Sequence, residues 1–124
     1  RSKPLADVPA EIFTGFLEGN RDREVATTQV FVSLLRQLMS DPKLGRLIVP
    51  IVPDEARTFG MDALFRKFGI YSAREQAYEP VDSDIVAWYR EVKDGQLLEE
   101  GITEAGAMAS FTAAGTAYAA HGVN

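Results

Sequence analysis

The sequence contains no cysteine and only one histidine among its 124 residues. Without cysteine the chain can form no disulfide, no thiolate zinc site and no cysteine nucleophile. The histidine, His121, has no serine or aspartate in an evident triad relation to it, which argues against a triad hydrolase. The chain also lacks both common glycine-rich phosphate-binding patterns. Several familiar classes of enzyme are therefore disfavoured by composition alone.

Basic residues are outnumbered, with 13 lysines and arginines against 18 acids and a formal net charge of −5. A phosphate backbone needs a basic face, so this balance disfavours nucleic-acid binding. No apolar run approaches the roughly 20 residues of a membrane helix, and the first residues lack the pattern of a signal peptide. We therefore expect a cytoplasmic protein that binds neither nucleic acid nor membrane.

The length suits one domain, and 46% of the residues are hydrophobic. A chain of this size is expected to bury roughly 65% of the surface that it exposes when unfolded. It begins at Arg1 without a methionine and ends shortly after a helix-like segment. We expect both ends to be cuts through a longer chain.

Apolar residues spaced three and four apart predict helices. The clearest covers residues 26–39 and ends before Ser40-Asp41-Pro42, a stop signal. The last predicted helix, 102–120, is rich in alanine and glycine, so it should pack closely against other elements and stop at Gly122. The remaining helical predictions are 9–17, 61–68 closed by Gly69, and a further turn at 44–47.

The segment 47–52 is short, apolar and β-branched, which is typical of a buried parallel strand, although Pro50 cannot donate to a ladder. Residues 96–99 form a second predicted strand. Segments 70–72 and 85–92 are each a strand or an irregular stretch, the latter alternatively a short helix. Between them and the last strand, residues 93–95 predict a hairpin turn or a tight connection. The order of elements predicts an α/β fold with mainly parallel strands.

Glu104 is the first candidate site residue. It follows a short apolar run and Gly101, in the first turn of a predicted helix. Ligands of α/β folds bind at this position relative to the sheet, and a carboxyl beside apolar groups can exchange protons with a ligand. The simpler alternative is an acid that the helix macrodipole favours.

Asp54 and Glu55 are the second candidates, because two adjacent acids after a strand can line a pocket, bind a metal or transfer a proton. The alternatives are a salt bridge with Arg57 or a cap on the next segment. A metal site made of these acids and Glu104 would lack recognisable ligand spacing. We expect Glu99 and Glu100 to be solvated or paired. Four aromatic residues are expected in the core: Phe59, Phe65, Phe68 and Trp88.

Two strings closely resemble the homodimeric, bacterial-type pyruvate dehydrogenase, the thiamine-diphosphate decarboxylase of the pyruvate dehydrogenase complex. They are IVPDEARTFGM (51–61), extended by LFR (64–66) and GIYS (69–72), and QLLEEGITEAGA (96–107). Residues 26–28 also match, and the resemblance runs from about residue 4 to residue 124. It implies a three-layer α/β/α sandwich with a mainly parallel sheet, incomplete in this chain. Residues 1–24 would lead into the domain, and 25–124 would form the N-terminal part of its pyrimidine-binding domain.

The resemblance also implies roles for four residues. Glu104 falls on the glutamate that hydrogen-bonds a nitrogen of the cofactor's aminopyrimidine ring and favours its imino form. Ile102 falls on a position close to that ring. Asp54 and Glu55 match acids near the active centre, with a role in ordering loops or in acetyl transfer.

Further expectations concern ligands and partners. The implied enzyme decarboxylates pyruvate with thiamine diphosphate and passes the acetyl group to lipoyl groups of the dihydrolipoamide acetyltransferase component. Magnesium and the diphosphate would be held by a part of the enzyme outside these residues, and a second subunit of a homodimer would complete the site. The chain alone is expected to be inactive. The alternative is a non-catalytic α/β module for interaction or dimerisation.

Overall fold

The computed structural model describes residues 7–81 and 89–122. Trp88 and the first residues of the predicted segment 85–92 lie outside the described residues, as do residues 1–6 and 123–124. The chain divides between Ile48 and Val49 into two compact units. The predicted boundary between residues 24 and 25 stays a prediction.

The first unit is helical. It contains α1 (Glu11–Leu17), α2 (Thr27–Ser40) and a 3₁₀ turn (Gly45–Leu47), so all three helical predictions are confirmed with small changes at their ends. The buried face of α2 consists of Val32, Leu35 and Met39.

Not every apolar residue of α2 lies on this face, because Phe31 is exposed whereas the next residue, Val32, is buried. Helix α2 ends at Ser40, and Asp41 is its C-cap. The Oδ1 of Asp41 accepts hydrogen bonds from the backbone N–H groups of Lys43 and Leu44, both at 2.9 Å. These bonds stabilise the turn that leads into the 3₁₀ segment.

The second unit is a parallel α/β arrangement, as predicted. Its strands are β1 (Ile51–Val52), β2 (Ile70–Tyr71), β3 (Glu91–Val92) and β4 (Leu98–Glu99), and its helices are α3 (Asp62–Phe68) and α4 (Glu104–His121). Strand β1 pairs with β4, and β2 pairs with β3, both in parallel. A parallel bridge between Ile70 and Leu97 places β2 beside the residue that precedes β4.

The connection from β3 to β4 is tight and is not a hairpin, since each strand pairs with a different neighbour in parallel. The backbone N–H of Gly95 donates to the carbonyl of Val92 at 3.1 Å. Gly95 lies directly against the backbone of Ile70, and a Cβ there would overlap the Ile70 carbonyl group. Glycine is required at this position because only a residue without a side chain allows the two backbones to approach so closely.

The strand predicted over 47–52 was mostly wrong, because only Ile51–Val52 is extended and paired. Leu47 belongs to the 3₁₀ turn, and Pro50 has no N–H to donate. The Pro50 carbonyl still takes part, since it accepts a hydrogen bond from the Leu98 N–H at 2.9 Å. The hydrogen bonding between β1 and β4 therefore starts at the carbonyl group of Pro50.

Helix α4 begins two residues later than predicted. Thr103 is its N-cap, and the Thr103 Oγ1 accepts a hydrogen bond from the Gly106 N–H at 3.0 Å, so Ile102 lies in the preceding loop. The predicted stop is confirmed, because Gly122 adopts the left-handed conformation at φ 66°. No helix within the described ranges is both long and apolar enough to cross a membrane.

The close packing predicted for α4 was wrong for this chain. The helix contacts β1, yet among the described residues none of its side chains is buried. Phe111 is 64% exposed, and Met108 and Tyr118 are also exposed. Small side chains allow another element to pack closely on a helix, but among the described residues no element buries the side chains of α4.

The core of the second unit is centred on Leu64, Phe65 and Leu97, all fully buried. The ring of Phe65 meets the ring of Tyr89 edge to face, with centroids 6.1 Å apart. Burial of a phenylalanine side chain contributes about 2–3 kcal/mol to folding. The core prediction is confirmed for Phe65 and wrong for Phe59, which is exposed because it lies in the turn after β1.

Candidate functional site

The candidate residues leave the sheet at one edge. Strands β1 and β4 are parallel neighbours, with Val52 opposite Glu99, and the Glu100 N–H donates to the Val52 carbonyl at 2.9 Å. The chain continues from β1 to Asp54 and from β4 to the start of α4. Both candidate segments therefore begin at the carboxyl edge of the same strand pair, where α/β folds bind ligands.

The first of these segments is the turn at residues 54–61. Asp54 adopts a left-handed backbone conformation, with φ 58°. The turn is closed by hydrogen bonds from the Gly60 N–H to the Arg57 carbonyl, at 2.9 Å, and from the Met61 N–H to the Ala56 carbonyl, at 2.8 Å. Ala56 and Met61 are buried and anchor the turn in the core.

The side chains of Asp54 and Glu55 are exposed on this anchored turn. Among the described residues, no ion pair joins Arg57 to either acid, so the salt-bridge interpretation of the segment was wrong. The two carboxylates are therefore available to a ligand or to a loop from another part of a larger protein.

The second segment is the loop from Glu100 to Glu104. Gly101 has a φ of 79°, and the Ser110 Oγ donates to the Glu100 Oε1 at 2.5 Å, which joins the loop to α4. Ile102 is 87% exposed, and Glu104 is exposed in the first turn of α4. The described residues therefore leave the carboxyl of Glu104 open to solvent.

Glu99 is a further candidate residue, which was not predicted from the sequence. It is half-buried, and its Oε2 is buried with no hydrogen-bond partner among the described residues. Burial raises the pKa of Glu99, the carboxylate of Asp54 raises it further, Arg57 lowers it, and Glu91 raises it. The expectation that Glu99 is solvated or paired was therefore wrong, whereas Glu100 is paired with Ser110.

One sequence signal could have found Glu99. It lies two residues after the fully buried Leu97, and alternate residues of a strand point to the same face. An acid that shares a face with a core leucine is expected to be partly buried.

Tyr89 and Glu91 add a further polar pair near Glu99. The Tyr89 hydroxyl donates to the Glu91 Oε1 at 2.9 Å, and the Gln76 Oε1 accepts from the Glu91 N–H at 3.2 Å. Burial and the hydrogen bond to Glu91 raise the pKa of Tyr89. In the part of the chain that the structure describes, no group of three acids or histidines is placed to hold a metal ion.

The second unit is an α/β domain with parallel strands, and acids and an apolar side chain at the carboxyl edge of such strands are typical of α/β domains that bind ligands there. The chain belongs to the family described as the pyruvate dehydrogenase E1 component middle domain, whose model matches residues 4–124. The resemblance found in the sequence is thereby confirmed.

Curated relatives agree with this assignment. The chain is 59% identical over 113 residues to the pyruvate dehydrogenase E1 component of Pseudomonas aeruginosa, and this match covers 91% of the chain and 13% of the relative. It is 52% identical over 101 residues to that of Cupriavidus necator, covering 82% and 11%. Against that of Corynebacterium glutamicum it is 46% identical over 119 residues, covering 96% and 13%. The chain thus spans only 11–13% of the length of these relatives.

Proposed function

We propose that these residues act within a full-length pyruvate dehydrogenase E1 polypeptide, which decarboxylates pyruvate with thiamine diphosphate and transfers the acetyl group to lipoyl groups. Membership of the E1 middle domain family supports this proposal. The observation that carries it is the shared carboxyl edge of β1 and β4, from which the segments bearing Asp54 and Glu104 both emerge.

The residues at this edge suit the pyrimidine end of the cofactor. An aminopyrimidine ring has flat faces that pack on apolar groups and ring nitrogens that form hydrogen bonds. Ile102, at 87% exposed, offers an uncovered apolar side chain, and Glu104 offers a carboxyl two residues later. When bound, thiamine diphosphate supplies the carbon that attacks pyruvate and takes up the electrons left by departing CO₂.

Glu104 is assigned the role of holding a proton at its carboxyl and sharing it with the ring nitrogen. A carboxyl enclosed away from water keeps its proton more readily than an exposed one. Glu104 is exposed among the described residues, so the proposal requires that other parts of the enzyme cover it. A second subunit is the proposed source of that cover.

Asp54 and Glu55 are assigned to loop ordering or to the acetyl-transfer step, because both are exposed on an anchored turn. Magnesium and the diphosphate are assigned to residues outside this chain. The proposed partners are pyruvate, a second E1 subunit and the dihydrolipoamide acetyltransferase component, and the proposed location is the cytoplasm.

The test is Glu104→Gln in the full-length E1 polypeptide, with pyruvate turnover measured under saturating thiamine diphosphate and magnesium. Loss of a proton-transferring carboxyl should lower turnover by about 10²-fold or more. Asp62→Asn is the matched control, since Asp62 is also a first-turn acid, in α3. If Glu104 only complements the helix macrodipole, both variants should keep full turnover and lose a few tenths of a kcal/mol of stability.

A second candidate function, a non-catalytic module for interaction or dimerisation, is favoured by the apolar side chains that α4 exposes. The same assay separates the two. A module without a catalytic role would leave the turnover of Glu104→Gln unchanged.

A further inference from the structure

The carboxyl of Glu99 is in an unusual position for an acid. Glu99 is paired with Val52 in the parallel register of β1 and β4, and its Oε2 is buried with no hydrogen-bond partner among the described residues. The neighbouring Glu100 differs, because its Oε1 accepts the Ser110 hydroxyl. A buried carboxylate oxygen without a partner is costly to keep ionised, whereas the neutral acid tolerates burial better.

The charged groups around Glu99 come from two neighbouring segments. Val52, the register partner of Glu99, is followed by the turn that carries Asp54 and Arg57, and both residues interact electrostatically with Glu99, as does Glu91 of β3. Tyr89 also lies close enough to interact with Glu99. The two acids repel an ionised Glu99 and the single guanidinium attracts it, while burial opposes ionisation in any case. The pKa of Glu99 is accordingly raised.

Ionisation of Glu99 has a direct consequence for the turn. Asp54 holds a left-handed backbone conformation at φ 58°, which is sparsely populated by residues other than glycine and therefore depends on its surroundings. A charged Glu99 repels the Asp54 carboxylate and favours opening of the turn. A neutral Glu99 removes that repulsion and leaves the closing hydrogen bonds of Gly60 and Met61 undisturbed.

We propose that Glu99 is a positioning residue whose protonation state controls the order of the turn at residues 54–61, with the neutral carboxyl holding the turn closed. Its effect on catalysis rests on the proposed function, since Asp54 and Glu55 are the acids that this turn would present at the active centre. Its effect on the conformation of the turn does not rest on that function.

The conformational test is hydrogen–deuterium exchange in the full-length E1 polypeptide, followed by mass spectrometry of peptides covering residues 54–61. Wild type, Glu99→Gln and Glu100→Gln are compared at equal pH between about pH 5 and about pH 8, where a carboxyl of raised pKa ionises. Peptides of α3, which carries the buried Leu64 and Phe65, report opening of the whole second unit. At the upper end, we expect Glu99→Gln to exchange at least about threefold more slowly than wild type in the turn, equivalent to half a pKa unit of linkage.

At the lower end of this range Glu99→Gln and wild type should agree, and Glu100→Gln should follow wild type throughout. Glu99→Ala also lacks the charge. In this variant, as in Glu99→Gln, the protection of the turn relative to the intrinsic exchange rate should not fall as the pH rises. Equal exchange of the turn in wild type and Glu99→Gln at every pH would overturn the proposal. So would a change of the same size in the peptides of α3, because the effect would then extend to the whole second unit.

The catalytic test is the pH profile of kcat/KM for pyruvate in the same variants. Glu99→Gln should keep its activity to higher pH than wild type, whereas a merely structural Glu99 would change stability and leave the profile in place. Failure of the proposed function gives a different result. Full turnover by Glu104→Gln would refute that function, while the exchange of the turn would still decide the role of Glu99.

Discussion

Ser110 donates a hydrogen bond of 2.5 Å to the carboxylate of Glu100, and this bond links the second turn of α4 to the residue that follows β4. The two residues are ten positions apart, with the candidate residues Ile102 and Glu104 between them. The bond therefore closes the loop that presents both candidates. No side chain of α4 is buried among the described residues. The helix therefore depends more on this hydrogen bond to stay packed against the sheet than a helix with a buried apolar face would.

The first prediction concerns this link. Ser110→Ala should lower the free energy of unfolding by about 1 kcal/mol, since it leaves a half-buried carboxylate without its donor. Ser33→Ala is the matched control, because Ser33 donates within α2 to the exposed Gln29 carbonyl, and its loss should be close to neutral. Urea unfolding measures both, and equal values for the two variants would contradict the prediction.

The second prediction concerns the start of α4. Thr103→Ala removes the hydroxyl that accepts from the Gly106 N–H, and loss of an N-cap costs about 1 kcal/mol. Thr116→Ala, in the body of the same helix, removes a hydroxyl that donates to the Thr112 carbonyl and should cost less. Thermal unfolding followed by circular dichroism gives both values, and a smaller loss for Thr103→Ala than for Thr116→Ala would contradict the assigned cap.

The third prediction concerns the crossing of the β3–β4 connection over β2. Gly95→Ala places a Cβ on the Ile70 carbonyl group, so we expect a loss of about 3 kcal/mol through backbone displacement. Gly115→Ala is the control, because a Cβ there meets nothing within 4 Å among the described residues. Gly115→Ala should stabilise α4 by up to about 1 kcal/mol. Chemical denaturation gives the free energy of unfolding of both variants, and changes of the same sign would contradict the prediction.

The fourth prediction concerns pH and stability. The pKa of Glu99 is raised in the folded state, so its contribution to stability is complete below the unfolded pKa and is lost as pH rises through the folded pKa. Glu99→Gln should therefore be more stable than wild type at neutral pH and equal to it near about pH 4, where the unfolded glutamate is half protonated. A gain that does not change with pH would contradict the assignment.

The fifth prediction concerns the chain by itself. The 124 residues should release no CO₂ from pyruvate when supplied with thiamine diphosphate and magnesium, because Glu104 is exposed and the proposed site needs cover from other parts of the enzyme. A radiometric assay of CO₂ release, with a full-length E1 polypeptide as the positive control, measures this. Cofactor-dependent release by the chain alone would refute the shared-site proposal.

Much of the candidate site could be predicted before the structure. The acids at Asp54 and Glu104 were placed after two strands from local pattern, and the parallel pairing of β1 and β4 puts both segments at one edge. Their roles stay a prediction. Glu99 was missed because an acid next to Glu100 resembles a solvated charge run. Its spacing from the core residue Leu97 was the opposing signal, and the buried Oε2 of Glu99 shows that this carboxyl turns inward.

The sequence by itself determined the helices, their stops and the family, since these depend on neighbours along the chain: apolar spacing, a glycine such as Gly122 that adopts positive φ, and long matching strings. Only the tertiary structure decided that β1 is limited to Ile51–Val52 and that Phe59 is exposed. It likewise decided that residue 95 must be a glycine, because its backbone contacts the backbone of Ile70. It also decided the burial of Glu99. These outcomes depend on groups far apart in the chain, because burial and backbone contact are set by what folds against a residue rather than by what precedes it.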